Sequence, residues 1–446
     1  MKPNILFLTI DSLRSDRCIS NKKSVKTPNI DNLIKNGIYF SQAISTSDST
    51  GTSLGSIFTG KYPFKTGITH LTYNSDILTY FDVLKKSGYH VYGIFPDLSF
   101  FLKLSSNFDE KSLYVYDKRE LWLQLEGGIG QQILEKLEST KMVEPWLYFI
   151  HLMDLHAPFF IPKKFDHKEY GQTRYDRMVS SIDFWIGRIL QKIDLQKTLL
   201  ILSSDHGDYI PVLDISLDAI PEIQKMLKKG KEKFPTLEPI GVKLLATIKS
   251  IMKLYRTKKL KKTLTKDQFR TLESRGTWGL FDELIHIPLI LSGFGIKKPK
   301  IISKQVRHVD IFPTILDILN LPNSLTNVDG RSLLPLINER KMVEVPAYIE
   351  TGSRNPKKSG NIIGLRTPHY KYLRQRSDST KKVNLFDLRS DPLEQNDIAT
   401  IKINIVKQME KKLSEIRKDS KDEKPKSLSE EETKKVEEEL KKLGYL

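Results

Sequence analysis

Cysteine is almost missing from this chain of 446 residues. Cys18 stands alone, which excludes an intramolecular disulfide and any zinc site built on cysteines. Long apolar runs are missing too. The longest, such as Ile5 to Leu8 and Leu199 to Leu202, fall far short of the ~20 residues that a membrane-spanning helix needs. The stretch from Asn4 to Ile10 runs straight into Asp11 with no cleavage site, so it does not read as a secretory signal. A soluble, cytoplasmic protein is therefore expected, with peripheral membrane contact left open. Acidic residues are in deficit, with 54 Asp and Glu against 72 Lys and Arg and a net charge of +18. That surplus favours anionic partners: nucleic acid, acidic lipid or charged substrates. What the chain does have is material for a core. Hydrophobic residues make up 39% and charged ones 28%, which excludes global disorder. The length suits about two or three domains, or one large α/β domain.

Short apolar runs alternate with amphipathic stretches up to about residue 210. Ile5 to Ile10, Val91 to Phe95, Trp146 to Ile150, Thr198 to Leu202 and Ile287 to Leu291 each read as a strand covered on both faces. Thr27-Pro28-Asn29 opens a helix with Ile30, Leu33 and Ile34 on one face, and Tyr175 to Ile193 reads as another helix. The expected fold is an α/β/α sandwich with a mainly parallel central sheet. A smaller C-terminal α+β unit is expected over 345–414, with strands at Ala347 to Glu350, Ile362 to Arg366 and Tyr370 to Arg374. Residues 1–344 would then be the catalytic domain. The tail, 415–446, reads as a charged linker and a charged helix from Ser427 to Leu443.

Residues 211–272 break the rhythm and read as a basic helical insertion. Lys225 to Arg270 holds 15 Lys or Arg against 3 acidic residues, which is most of the chain's surplus charge. Leu244, Leu245, Ile248, Ile251, Met252 and Tyr255 recur at helical spacing, with Lys243, Lys249, Lys253 and Arg256 elsewhere. One reading is a helix packed on the body with a solvated basic face. The other is an interfacial helix, over about 240–262, lying on anionic lipid. No aromatic interleaving accompanies the basic run, so nucleic acid is disfavoured.

Chemistry gathers where strands are expected to end, as it does in sheets of this kind. Asp11 follows the first strand, His151 and Asp154 the third, and Asp205 the fourth. In Ser204-Asp205-His206-Gly207, an oxygen and an imidazole nitrogen stand side by side and suit one metal ion. A hydroxyl-rich loop is expected from Ser45 to Ser53, ahead of Thr59-Gly60-Lys61-Tyr62-Pro63.

These motifs together resemble the sulfatase family of the alkaline phosphatase superfamily, and the resemblance covers nearly the whole chain. Asn4 to Asp11 looks like the family's first metal strand, and Ser204-Asp205-His206-Gly207 like its second. Val309-Asp310-Ile311-Phe312-Pro313-Thr314 and Leu385-Phe386-Asp387-Leu388 with Asp391-Pro392-Leu393-Glu394 are further matches. The resemblance implies an alkaline phosphatase-like fold and one divalent metal ion held by Asp11, Thr50, Asp205 and His206. The imidazole ligand favours manganese or zinc, with magnesium or calcium as alternatives. It also implies that His156 contacts the substrate or protonates the leaving oxygen. Arg14, Arg275 and His308 become candidate substrate-binding residues, with an ion pair as the alternative for Arg14 and a structural role as the alternative for His308.

Two departures stand out. The family's nucleophile is a Cys or Ser in a Cys-x-Pro-x-Arg pattern, nine residues before the Thr of Thr-Gly; counting back from Thr59 gives Thr50, in Thr50-Gly51-Thr52-Ser53-Leu54. Formylglycine cannot form there, and Leu54 stands in place of the Arg. A formylglycine sulfate ester can collapse to the aldehyde. A threonine ester has no such exit and must be hydrolysed at sulfur or phosphorus, which favours phospho(di)ester chemistry. The second departure is Thr277, near where the family has a Lys; Arg275 is the candidate replacement. The expected function is a metal-dependent hydrolase or transferase acting on an anionic sulfate or phosphate ester, with a glycan or lipid head group as carrier. The alternative is a catalytically silent relative that binds anionic lipid or glycan.

Overall fold

A computed structural model of the chain describes residues 2–19, 24–69, 72–73, 77–115, 125–138, 141–156, 159–210, 251, 254–255, 257–272, 279–352, 361–418, 434–435 and 438. Most of the basic insertion, Arg275, Thr277 and most of the segment from Ser427 to Leu443 lie outside the described residues.

Fifteen strands are present among the described residues: β1 (Asn4–Ile10), β2 (Ile38–Phe40), β3 (Ala43–Ile44), β4 (His90–Pro96), β5 (Glu110–Tyr114), β6 (Trp146–Leu152), β7 (Thr198–Ser203), β8 (His286–Ile287), β9 (Leu289–Gly293), β10 (Lys300–Ile302), β11 (Val306–Arg307), β12 (Ala347–Glu350), β13 (Ile362–Arg366), β14 (Tyr370–Gln375) and β15 (Asn384–Asp387). The main sheet runs β10-β2-β9-β7-β1-β6-β4-β5. Its centre, from β7 through β1 and β6 to β4, is parallel, as continuous apolar runs imply. Strand β9 runs antiparallel to β7 and β2, so the sheet is mixed.

The run Ile287 to Leu291 is not one strand. Pro288 divides it, since proline offers no N–H to a ladder. β8 joins β3 in a small three-stranded sheet, while β9 enters the main one.

The helices that matter for the site are α1 (Pro28–Asn36), α2 (Thr50–Thr59), α3 (Arg174–Leu190), α4 (Ile311–Ile318) and α5 (Ile403–Arg417). Side chains alternate along a strand, so β1 feeds two cores. Ile5 and Phe7 meet α2 and α4 through Leu54, Ile57, Phe58 and Phe312. Leu6, Leu8 and Ile10 meet α1 and α3 through Ile30, Leu33, Met178 and Ile182.

A second sheet, β12-β13-β14-β15, is antiparallel and makes the smaller C-terminal unit. Helix α5 covers it, burying Met409 and Leu413 against Tyr348, Ile363, Leu365 and Tyr372. The helix continues to Arg417, past the expected start of the linker, because Ile416 still packs on this core.

Phe149 lies at the middle of the first core, with the rings of Phe7, Phe58, Phe81, Phe95 and Phe108 at centroid distances of 5.1–6.4 Å. Phe149→Ala is expected to destabilise the protein by about 3–5 kcal/mol, read as a lowered urea midpoint. A loss below about 1 kcal/mol would mean that this cluster does not anchor the sheet.

Candidate active site

Register places the site. Thr9 of β1 pairs with His151 of β6 on one side and Ser203 of β7 on the other, so three chain exits lie abreast at one edge. Asp11 and Asp205 both leave that edge fully buried. Ser204 Oγ bridges the two turns: it donates to the Ile10 carbonyl at 2.7 Å and accepts from the Leu13 N–H at 2.9 Å. Ser12 holds a left-handed conformation, φ 65°, which a non-glycine residue adopts at a cost of about 1–3 kcal/mol. That turn aims its N–H at Asp205 Oδ1, 3.2 Å away, and its hydroxyl at Asp11 Oδ1.

The two carboxylates are thus oriented alike. Each commits Oδ1 to the turns, Asp205 Oδ1 also accepting from the His206 N–H at 2.9 Å. The Oδ2 atoms face the other site groups. Asp11 Oδ2 accepts from Thr50 Oγ1 at 3.1 Å, and Asp205 Oδ2 has no hydrogen-bond partner.

Thr50 is the first residue of α2, not part of a loop, so the expected hydroxyl-rich loop ends at Ser49. All ten residues of α2 are buried. Its hydroxyls tolerate burial by bonding to backbone: Ser53 Oγ reaches the Ser47 carbonyl at 3.0 Å and Thr59 Oγ1 the Gly55 carbonyl at 2.7 Å. Thr50 Oγ1 stands at the positive end of this helix, where negative charge is stabilised. It also lies 3.3 Å from His206 Nε2. His206 Nδ1 is 2.8 Å from the Gly207 carbonyl, which only accepts, so Nδ1 carries the proton and Nε2 presents a lone pair. Gly207 is required here because a Cβ would overlap the Glu283 carbonyl oxygen.

Electrostatics follow from burial. Desolvation opposes ionisation of Asp11, but the imidazoles of His151, His206 and His156 outweigh it and hold its carboxyl well below the usual range. Burial and repulsion from Asp11 push Asp205 up, against the pull of His206 and His151. Two carboxylates facing one dry space call for positive charge between them.

The four expected metal ligands therefore meet. Their donors and the unpartnered Asp205 Oδ2 suit a divalent cation, which Asp11, Asp205, His206 and Thr50 would hold. His151 is the residue that the sequence reading left out of this set: Asp11, His151 and Asp205 offer atoms that all lie within 4.8 Å of one another.

The remaining candidates divide. His156 is buried and close enough to act electrostatically on Asp11. Arg14 is not aimed at the cluster. Its guanidinium grips Asp16 at 2.8–2.9 Å and the Asp208 carbonyl at 3.3 Å. It lines a neighbouring cavity of about 530 Å³ with Asp16, Asp282, Glu283, His286 and Arg366. His308 takes the structural alternative: Nε2 donates to the Ser204 carbonyl at 2.9 Å, and burial drives the imidazole down to about 3, so it is neutral. Leu54 belongs to the apolar core. Arg275 lies outside the described residues. Asp154 turns away from the site and accepts from the Leu125 N–H at 3.1 Å.

Comparison with known proteins agrees with this geometry. Residues 3–321 match the family model described as Sulfatase, and 276–419 match N-sulphoglucosamine sulphohydrolase, C-terminal. Arylsulfatase K of Gallus gallus is 23% identical over 453 residues, covering 89% of this chain and 79% of that protein. Among solved structures, the phosphonate monoester hydrolase of Agrobacterium radiobacter superimposes with a TM-score of 0.68 at 16% identity, covering 94% of this chain and 96% of that one. A protein solved with its substrate D-glucosamine-2-N,6-O-disulfate gives a TM-score of 0.65 at 17% identity, covering 95% of this chain and 99% of that one.

Burial, reinforced by Glu126, raises the Asp154 carboxyl from 3.8 to about 7. A raised carboxyl pKa means that the folded state takes up the proton, so stability is lost as pH climbs from about 4 to about 7. Asp154→Asn keeps the acceptor and removes the charge. Its gain in stability over the parent should be negligible near pH 4 and grow to at most about 4 kcal/mol by pH 8, read by thermal denaturation. A gain independent of pH would contradict this.

Proposed function

The chain belongs to the sulfatase family, whose members hydrolyse sulfuric or phosphoric esters, and from that premise we propose that it cleaves an anionic phosphoester or phosphonate ester through Thr50. One observation carries the reading: a buried threonine hydroxyl begins a buried helix, 3.1 Å from Asp11 Oδ2 and 3.3 Å from a lone pair on His206 Nε2. That position supports reading the threonine as the nucleophile. It lacks the aldehyde exit of formylglycine, so the second half of the reaction has to be attack on the central atom, and phosphorus supports that route.

The chain's own groups supply the proton transfers of both halves. Thr50 Oγ1 forms a bond to phosphorus as its proton passes to the lone pair of His206 Nε2, 3.3 Å away. The ester oxygen departs and takes a proton from His156. Water, losing a proton to His156, then attacks the same phosphorus, the bond to Thr50 Oγ1 breaks, and the held proton returns to Oγ1. A divalent cation, when bound, lowers the pKa of a coordinated hydroxyl and offsets the charge of the ester oxygens. The helix N-terminus under Thr50 favours the same anion.

The substrate class is an anionic ester, and a sugar is a fitting carrier. The fold is shared with the protein solved with glucosamine disulfate, and the net charge of +18 attracts such polyanions. Nothing in the described residues is a helix long and apolar enough to cross a membrane.

Thr50→Ala should reduce turnover of aryl phosphate, phosphodiester and phosphonate esters by at least about 1,000-fold, with thermal stability unchanged. Thr50→Ser should retain activity. Full activity of Thr50→Ala would remove Thr50 from the reaction. Faster turnover of aryl sulfate than of its phosphorus counterparts would return the protein to sulfate chemistry.

A further inference from the structure

His151 is an anomaly in the core. It is fully buried at the end of β6, and neither ring nitrogen has a hydrogen-bond partner. Its ring lies 4.8 Å from that of Phe101, which fixes its plane without satisfying either nitrogen. An unpartnered buried polar atom costs about 1–3 kcal/mol, so a purely structural imidazole here would be a poor choice beside phenylalanine. His308 and His206, on the same edge, each place one nitrogen on a backbone carbonyl. His151 does not, and it is the imidazole within 3.8 Å of Asp11 Oδ2.

Distances among the donors form a connected series. Asp11 Oδ2 to Thr50 Oγ1 is 3.1 Å, Thr50 Oγ1 to His206 Nε2 is 3.3 Å, His206 Nε2 to Asp205 Oδ2 is 3.5 Å, and Asp11 Oδ2 to His151 Nε2 is 3.8 Å. Donors sharing an ion at about 2.0–2.2 Å stand about 2.8–3.6 Å apart. The first three separations fall in that range, and the fourth needs to close by a few tenths of an ångström. Two atoms of this series, Asp205 Oδ2 and His151 Nε2, lack hydrogen-bond partners.

We propose that His151 is a direct ligand of the catalytic cation, so that two imidazoles and two carboxylates hold the ion and select zinc over calcium. The inference rests on the reading of Asp11 and Asp205 as cation ligands and adds to it. Calcium takes oxygen donors and six to eight of them, whereas zinc accepts nitrogen and about four ligands. A second imidazole therefore shifts preference in one direction. Its source is β6, so the ion joins all three central strands.

The test uses the full-length chain stripped of metal and titrated calorimetrically with zinc and with calcium. The absorption spectrum with cobalt(II) serves as a second readout. The wild type should bind zinc at least about 100-fold more tightly than calcium. His151→Phe, which keeps the ring contact with Phe101, should weaken zinc by at least about 10-fold, alter the cobalt spectrum and leave calcium within about 2-fold. Should that variant not fold, His151→Gln carries the same expectations. Asp11→Asn should abolish binding of both ions. If Asp11→Asn loses binding while His151→Phe leaves zinc affinity and the cobalt spectrum unchanged, His151 is not a ligand and the site reading survives. If Asp11→Asn still binds zinc, the ion does not sit between these carboxylates, and both fall.

Discussion

Two carboxylates, Asp11 and Asp205, are buried at one edge of the sheet, and the architecture around them exists to make that tolerable. Each belongs to the first turn after a central parallel strand, so neither can move without disturbing β1 or β7. Every immediate neighbour answers the same problem. Ser12 adopts a left-handed conformation to deliver donors to both. Ser204 ties the two turns together. The imidazoles of His151, His206 and His156 lower the cost of ionising Asp11, while Asp205, nearer to electrostatic deficit, is pushed up. The pair is unstable as bare charge and well suited to hold a cation, and the Thr50 hydroxyl stands beside it, 3.1 Å from Asp11 Oδ2.

The strands were legible because a strand buried on both faces has to be continuously apolar, and β1, β4, β6 and β7 are. β15 was not legible: with only two of its four residues buried, Asn384–Asp387 lacks a clear period. Ile287 to Leu291 looked like one strand because apolarity ignores the missing N–H of Pro288. In the site, Asp11, Asp205 and His206 were readable because turns after strands concentrate function, and Thr50 because of its spacing from Thr59-Gly60. His151 was named at a strand end yet dropped from the ligand set. It is the sixth residue of an apolar strand, and only register with Thr9, a partner 142 positions away, shows which space it enters. For Arg14 the sequence left substrate binding and an ion pair open. Proximity to Asp11 in sequence says nothing of Asp16, which claims its guanidinium.

The second sheet bears mechanically on the loop that precedes Thr50. Glu350 of β12 bridges to Ser47, its N–H bonding the Thr46 carbonyl at 2.9 Å, and the Gly352 N–H reaches Asp48 Oδ1 at 2.9 Å. Gly352 has no side chain because a Cβ would overlap that of Ser49, the residue before Thr50. The loop that leads into Thr50 is therefore clamped between the sheets rather than left to its own turns.

A buried ion network secures the other wall. Lys371 of β14, with no exposed side-chain surface, pairs with Asp282 at 2.5 Å and Glu394 at 2.7 Å, and Arg366 of β13 adds a pair to Asp282 at 3.0 Å. Such a network adds little net stability over apolar packing, yet losing one member leaves uncompensated buried charge. Its value is therefore positional. Asp282 adjoins Glu283, whose carbonyl lies against Gly207, and Gly207 in turn orients the His206 ring through Nδ1. The C-terminal unit thus bears on the centre from both sides, through Ser49 on Thr50 and through Glu283 on His206. It follows that the central sheet alone would carry Asp11, Asp205 and His206 without fixing the 3.3 Å separation between the Thr50 hydroxyl and the His206 imidazole.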